Sequence, residues 1–226
     1  MSQLTRALTA EFLGAFGLVF IGAGAVVTEG ASGGQLGLVG IALAHGVVLA
    51  VMVTATMRIS GGHLNPAVTA AVWLSRRIGG RDAVLYVLTQ LAAAVSAALL
   101  VKALFPVGAG MATAYGVPRI AGEVSFLQAI VIEAILTAML VSAVFGTAIS
   151  PEAPGVGGFG IGLVLVFVIL AGGPLTGAAV NPARAFGPAV AANDWHAHLA
   201  YWVGPLLGAA VASLLWSQVL LPTERR

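Results

Sequence analysis

Charge is distributed in long gaps along this chain. Residues 12–28, 30–57, 83–101, 134–151, 153–183 and 195–223 contain no Asp, Glu, Lys or Arg. A helix needs roughly 20 mostly apolar residues to cross a hydrocarbon layer about 30 Å thick. The pattern therefore predicts six spanning helices, near 5–28, 37–57, 83–104, 126–148, 158–172 and 197–220. The first six residues lack the basic region, short apolar core and small-residue cleavage site of a secretory signal, so the first apolar stretch is expected to stay as a helix.

Two stretches interrupt this pattern. Ser60-Gly61-Gly62-His63-Leu64-Asn65-Pro66-Ala67-Val68 follows the second helix, and Gly172 to Arg184, ending in Val180-Asn181-Pro182-Ala183-Arg184, follows the fifth. Each combines Gly, Asn and Pro with an apolar continuation of about ten residues, which as a helix rises about 15 Å, half a bilayer. Irregular backbone persists at membrane depth only where protein buries it or water lines it. Each stretch is thus expected to be a loop that enters the membrane and turns into a half-helix.

Composition sharpens the class. Of 226 residues, 59% are hydrophobic and 8% charged, with a mean hydropathy of +1.03, outside the range of soluble domains. A net charge of +2 offers no basic surface for nucleic acid, and the absence of cysteine removes disulfides, thiol nucleophiles and thiolate metal sites. Thirty glycines point to close helix contacts in lipid. Arg6, Arg76, Arg77, Arg81, Arg225 and Arg226 fall on one side of a six-helix arrangement, and Lys102 and Arg119 on the other. By the positive-inside rule both termini should be cytoplasmic.

The two Asn-Pro-Ala triplets stand 116 residues apart (181 − 65), and Glu11 and Glu133 open the corresponding halves. Three spans per half is an odd number, so the second half must be inverted relative to the first, as in many transport proteins. Asn is a favoured N-cap and Pro suits the first helical position, so Asn65 and Asn181 should start the half-helices. Capping uses the amide oxygen and should leave the amide NH2 groups free for a passing solute. Inversion brings both positive helix ends to the midplane, which disfavours cations. Arg184 sits three residues past such a cap, where its charge opposes the dipole, and a buried membrane cation costs roughly 3 kcal/mol or more. Its repeat counterpart is Val68. Stability does not explain Arg184, and function should.

With both loops in view, the chain resembles the aquaporin, or major intrinsic protein, family over nearly its whole length; Gln90 and Trp202-Val203-Gly204-Pro205 also fall where that family places comparable residues. The resemblance implies an all-α membrane protein with six transmembrane helices plus two re-entrant half-helices in an inverted three-plus-three repeat. It would form a single transmembrane channel domain over 1–226, with halves of about 1–104 and 126–226 joined by an extracellular loop of about 105–125. It implies pore triplets Asn65, Pro66, Ala67 and Asn181, Pro182, Ala183, and a selectivity filter of His45, Ile169, Ala178 and Arg184. It further implies passive conduction of water and small uncharged solutes, no cofactor, no catalysis, and a homotetramer in the cell membrane.

The filter set is similar to that of plant tonoplast intrinsic proteins. Bacterial water channels carry an aromatic residue in place of His45 and His in place of Ile169. Ile169 is therefore expected to leave room for ammonia, hydrogen peroxide or urea, with His45 and Arg184 both donating to the solute. Glycerol facilitators resemble the chain less, having an acidic residue at the place of Ala185 and a basic one at that of Ala189, and lacking the Tyr201-Trp202 pair.

Glu11 and Glu133 are expected to accept hydrogen bonds from the entering loops. His63 either lines the pore or holds its loop. His196 and His198 read as an interfacial cluster without further metal ligands. A secondary transporter would need an ion-coordinating midplane site, where this chain has two neutral Asn. An intramembrane enzyme would need an activated nucleophile, and Ser60 near His63 has no acid partner in the sequence.

Overall fold

The computed structural model describes residues 1–221 and is helical throughout its regular structure. Arg225 and Arg226 of the basic-side argument lie outside the described residues. The six spanning helices are α1 (Gln3–Ala31), α2 (Gly37–Ser60), α4 (Gly80–Leu104), α6 (Phe126–Val144, continued by a π-helical turn to Ile149), α7 (Gly158–Thr176) and α9 (Ala200–Leu215, continued by a π-helical turn to Leu220). The half-helices are α3 (Pro66–Leu74) and α8 (Pro182–Ala192). A short helix α5 (Val107–Ala112) and a 3-10 turn at Ala114–Gly116 occupy the segment expected to be plain loop. We call the face bearing Arg6, Arg58, Arg76, Arg77 and Arg81 the inner face.

Small residues set the packing. At the crossing of α2 and α7, which the repeat makes equivalent, a Cβ on Gly46 would lie 2.6 Å from the carbonyl oxygen of Gly162, and one on Gly162 would meet the carbonyl oxygen of Gly46. Gly204 and Gly208 of α9 lie in the same way on the backbone of α6, against the carbonyl oxygens of Ile130 and Ala134. Such backbone contact is how helices gain van der Waals attraction in lipid, where no hydrophobic driving force acts between them. The outward faces carry Val47, Val84, Leu88, Phe159 and Val211, each more than half exposed. On a water-soluble molecule that belt would be an aggregation surface, whereas acyl chains match it.

Several helix ends differ from the sequence expectation by three or four residues, and two of these lead into the re-entrant loops. α7 does not stop at Gly172-Gly173-Pro174 but runs to Thr176, where Gly177 at φ +83° ends it and donates from its N–H to the Gly173 carbonyl. Pro174 forfeits only its own missing donor, and the turn beyond it is held by neighbours that local sequence does not reveal. α2 likewise continues to Ser60, stopped by Gly61 at φ +91°.

Candidate functional site

The loops that enter from opposite faces have the same backbone. Gly61, Gly62 and Leu64 have φ of 91°, 62° and 52°, and their counterparts Gly177, Ala178 and Val180 have 83°, 43° and 45°. Left-handed φ at Leu, Ala and Val is strained, of order 1–3 kcal/mol each, and persists only where surroundings over-determine it. Here a buried carboxylate does so in each half. Glu11 accepts from the N–H of His63 (2.9 Å) and Leu64 (2.7 Å) and from Ser60 Oγ (2.7 Å). Glu133 accepts from the N–H of Ala179 (3.0 Å) and Val180 (2.8 Å) and from Thr176 Oγ1 (2.7 Å). Tyr86 and Tyr201 close the pattern, their hydroxyls donating to the carbonyls of Ser60 and Thr176.

Sequence reading missed the Ser60/Thr176 and Tyr86/Tyr201 pairs, although a repeat offset of 116 or 115 residues would have found them. Gln90, which donates from Nε2 to Glu11 and to Thr69, belongs to the first half alone. Ser60 does have an acid partner in space, Glu11. The pair lacks a histidine base, because His63 Nδ1 is turned to Thr69 Oγ1 at 3.1 Å. His63 thus holds the loop and also borders the water path, joining the two alternatives left by the sequence.

At the midplane Asn65 caps α3, its Oδ1 accepting from Ala67 N–H at 2.8 Å, and Asn181 caps α8 through Ala183 (3.0 Å) and Arg184 (3.2 Å). The NH2 groups are not both free, contrary to the sequence expectation. Asn65 Nδ2 donates to the Val180 carbonyl at 2.9 Å, and Asn181 Nδ2 donates to the Leu64 carbonyl at 3.0 Å. Each loop therefore holds the other's asparagine in place, and one N–H per side chain remains for a solute.

Arg184 is buried rather than snorkelling, at 7% exposure. One guanidinium nitrogen donates to the Gly116 carbonyl at 2.8 Å, and another lies 3.3 Å from His45 Nε2. His45 Nδ1 is 2.9 Å from the Ile41 carbonyl. A carbonyl can only accept, so Nδ1 carries the hydrogen and Nε2 accepts from Arg184. His45 thus orients the arginine and offers no ring donor of its own, which corrects the expectation of two donors. Among the described residues the sole ion pair is Arg119–Asp194 at 2.8 Å. Arg184 therefore keeps its full charge on neutral acceptors.

A path runs past these groups. Its waist has a volume of about 20 Å³, between His45, Asn65, Ala178, Asn181 and Arg184. One water needs about 10–15 Å³. An outer vestibule of 350 Å³ adjoins it, sharing His45 and Arg184 and walled by Ile169. An inner vestibule of 780 Å³ shares His63 and Val144. The four residues expected as a filter are therefore distributed: His45 and Arg184 touch, Ala178 lies on the waist side and Ile169 on the outer side. Gly22 is needed here, since a Cβ would fall 2.5 Å from His45 Nε2.

Comparison with known proteins agrees with this architecture. The family model "Major intrinsic protein" matches residues 1–216. The chain is 41% identical over 224 residues to aquaporin TIP4-4 of Zea mays, covering 96% of this chain and 87% of that one. It is 39% identical over 226 residues to aquaporin TIP2-1 of Arabidopsis thaliana, covering 96% and 88%. The X-ray structure of the aquaglyceroporin from Plasmodium falciparum superposes with a TM-score of 0.86 over 96% of this chain and 97% of that chain; at 21% identity this likeness is one of fold. With the family model matching from the first residue through α9 and relatives near 40% identity over almost the whole chain, the protein belongs to the major intrinsic protein family.

Proposed function

We propose that the chain is a passive membrane channel for water and small neutral solutes that excludes protons and metal cations, and that it is not an enzyme. The observation that carries this reading is the water-sized waist between two open vestibules, bordered by two neutral amides and a cation held on neutral acceptors. Asn65 and Asn181 each present one N–H to a single file, and Arg184 with the inward-pointing half-helix ends makes the waist electropositive. Both termini face the cytoplasm of a cell carrying this multi-pass protein in its cell membrane, in line with the arginines of the inner face. Four copies assemble, each with its own pore, a reading that rests on the family.

Stopped-flow light scattering on proteoliposomes tests this. Fast, non-saturating water flux with a low activation energy is expected, and saturable or ion-coupled flux overturns it. The solute range follows from the apolar wall at Ile169: ammonia, hydrogen peroxide or urea should pass with water, and glycerol poorly. Ile169→His should narrow the outer side of the waist and add a donor, keeping most water flux while the larger solutes are lost. A parent channel that passes glycerol as fast as urea would contradict this. Gly22→Ala should push the His45 ring off Arg184. The expected result is a changed urea-to-water ratio in a protein with unaltered helix content by circular dichroism.

A further inference from the structure

The two half-helices are flanked unequally. Beside α8, Phe186 meets Trp195 at 5.7 Å and His198 at 6.0 Å, and Trp195 meets His198 at 5.1 Å, so rings fill the crevice between the half-helix and the turn entering α9. The repeat offset of 116 from Asn65 and Asn181 places Ala70 opposite Phe186. The offset of 115 from Tyr86 and Tyr201 places Gly80 and Ala83 opposite Trp195 and His198. Where the outer half has three rings, the inner half has two alanines and a glycine. The result is an open, almost wholly apolar groove of 450 Å³, walled by Ala70 and Trp73 of α3, Gly80, Val84 and Leu88 of α4, and Trp202 of α9. It faces outward at membrane depth, with Trp73 50% and Leu88 57% exposed.

Charge stands at its inner end. Arg81, Val84 and Leu88, spaced i, i+3, i+7, share one face of α4, which puts Arg81 at the inner mouth of the groove. Arg81 is exposed and pairs with no carboxylate among the described residues. Gly79 caps α4 without a side chain, so the first N–H groups of the helix lack a side-chain acceptor. The acid of that turn, Asp82, lines the inner vestibule instead. Arg76 adds to the positive potential from the preceding turn. An apolar slot ending in a guanidinium and a positive helix end matches an acyl chain ending in a phosphate.

We propose that this groove holds one acyl chain of an anionic phospholipid, with its phosphate at Arg81 and the first turn of α4. The lipid takes the place that Phe186, Trp195 and His198 take in the other half, and it rests directly on the half-helix that carries Asn65. The proposal stands on the groove and does not depend on which solute the pore conducts.

The test uses the full chain in phosphatidylcholine vesicles, with Trp195 and Trp216 replaced by Phe so that Trp73 and Trp202 report from the groove. Phosphatidylglycerol with brominated tails, added as a minor component, should quench them well beyond its mole fraction, and unbrominated phosphatidylglycerol should reverse the quenching. Arg81→Gln should lower the preference for phosphatidylglycerol over phosphatidylcholine about fivefold, the factor given by ~1 kcal/mol for one basic residue at a charged leaflet. Ala70→Phe, which reproduces Phe186 of the other half, should abolish the excess quenching; if that variant fails to fold, the competition with unbrominated lipid decides alone. Quenching that follows mole fraction whichever headgroup carries the bromine overturns the proposal. So does a groove quenched by neither lipid; disulfides between copies formed by Val84→Cys, at an exposed position lining the groove, would then name a second copy of this chain as the occupant, unambiguously in a cysteine-free background.

Discussion

Glu133→Ala is expected to leave the protein largely unfolded in membranes or detergent. The substitution strips the acceptor from Thr176 Oγ1 and from the N–H groups of Ala179 and Val180, all buried. Each orphaned buried donor costs roughly 1–3 kcal/mol, so three approach the whole stability of a typical domain, about 5–15 kcal/mol. The same carboxylate also holds Ala178 and Val180 at left-handed φ, strain that returns to the loop once the carboxylate is gone. Glu133→Gln should lie between, since its remaining oxygen can keep the Thr176 and Ala179 bonds while its NH2 opposes the Val180 N–H. Fluorescence-detected size exclusion after a temperature ramp measures this. A Glu133→Ala protein with parental yield and midpoint would mean that the loop holds itself, and Glu11→Ala on the other loop should behave alike.

Arg184→Val should open the waist to cations while the fold survives. Valine is what the first repeat has at the same place, Val68, so the substitution makes the two caps symmetric. Lost with it is a fixed charge that a passing cation meets at about 5 Å, worth ~3 kcal/mol at an effective dielectric near 20. Proton or monovalent cation passage should rise on the order of a hundredfold, with water flux retained or increased. A pH-sensitive dye inside proteoliposomes reads the proton arm, and light scattering reads the water arm. Unchanged proton permeability in a variant that still conducts water would place the barrier elsewhere, at the half-helix ends. Removing this buried cation is not expected to unfold the protein, because no partner anion is orphaned and the two acceptors it leaves, the Gly116 carbonyl and His45 Nε2, belong to residues lining the outer vestibule, where water can replace the lost donor.

What the sequence determined by itself is the part of the molecule written in periodicity and local chemistry. Uncharged runs long enough to cross a bilayer left six spans as the economical reading, Asn-Pro set the start of each half-helix through capping, and an odd number of spans per half required inversion. Glu11, Glu133 and Arg184 could be singled out because a charge inside an apolar run is too costly to be incidental. What the tertiary structure decided was which hydrogen-bonding capacity those groups keep. The asparagine amides were expected free, yet each gives one N–H to the opposite loop, a contact 115 or 117 residues away that no local pattern encodes. His45 was expected to donate, yet the Ile41 carbonyl one turn earlier takes its hydrogen and leaves the other nitrogen to accept from Arg184, 139 residues away. α7 ran past Gly172-Gly173-Pro174 because Glu133 and Tyr201, from other helices, hold Thr176. Spans follow from hydrophobic transfer, which adds up residue by residue, whereas donors and acceptors are shared between distant partners, and only the folded chain settles which pairs form.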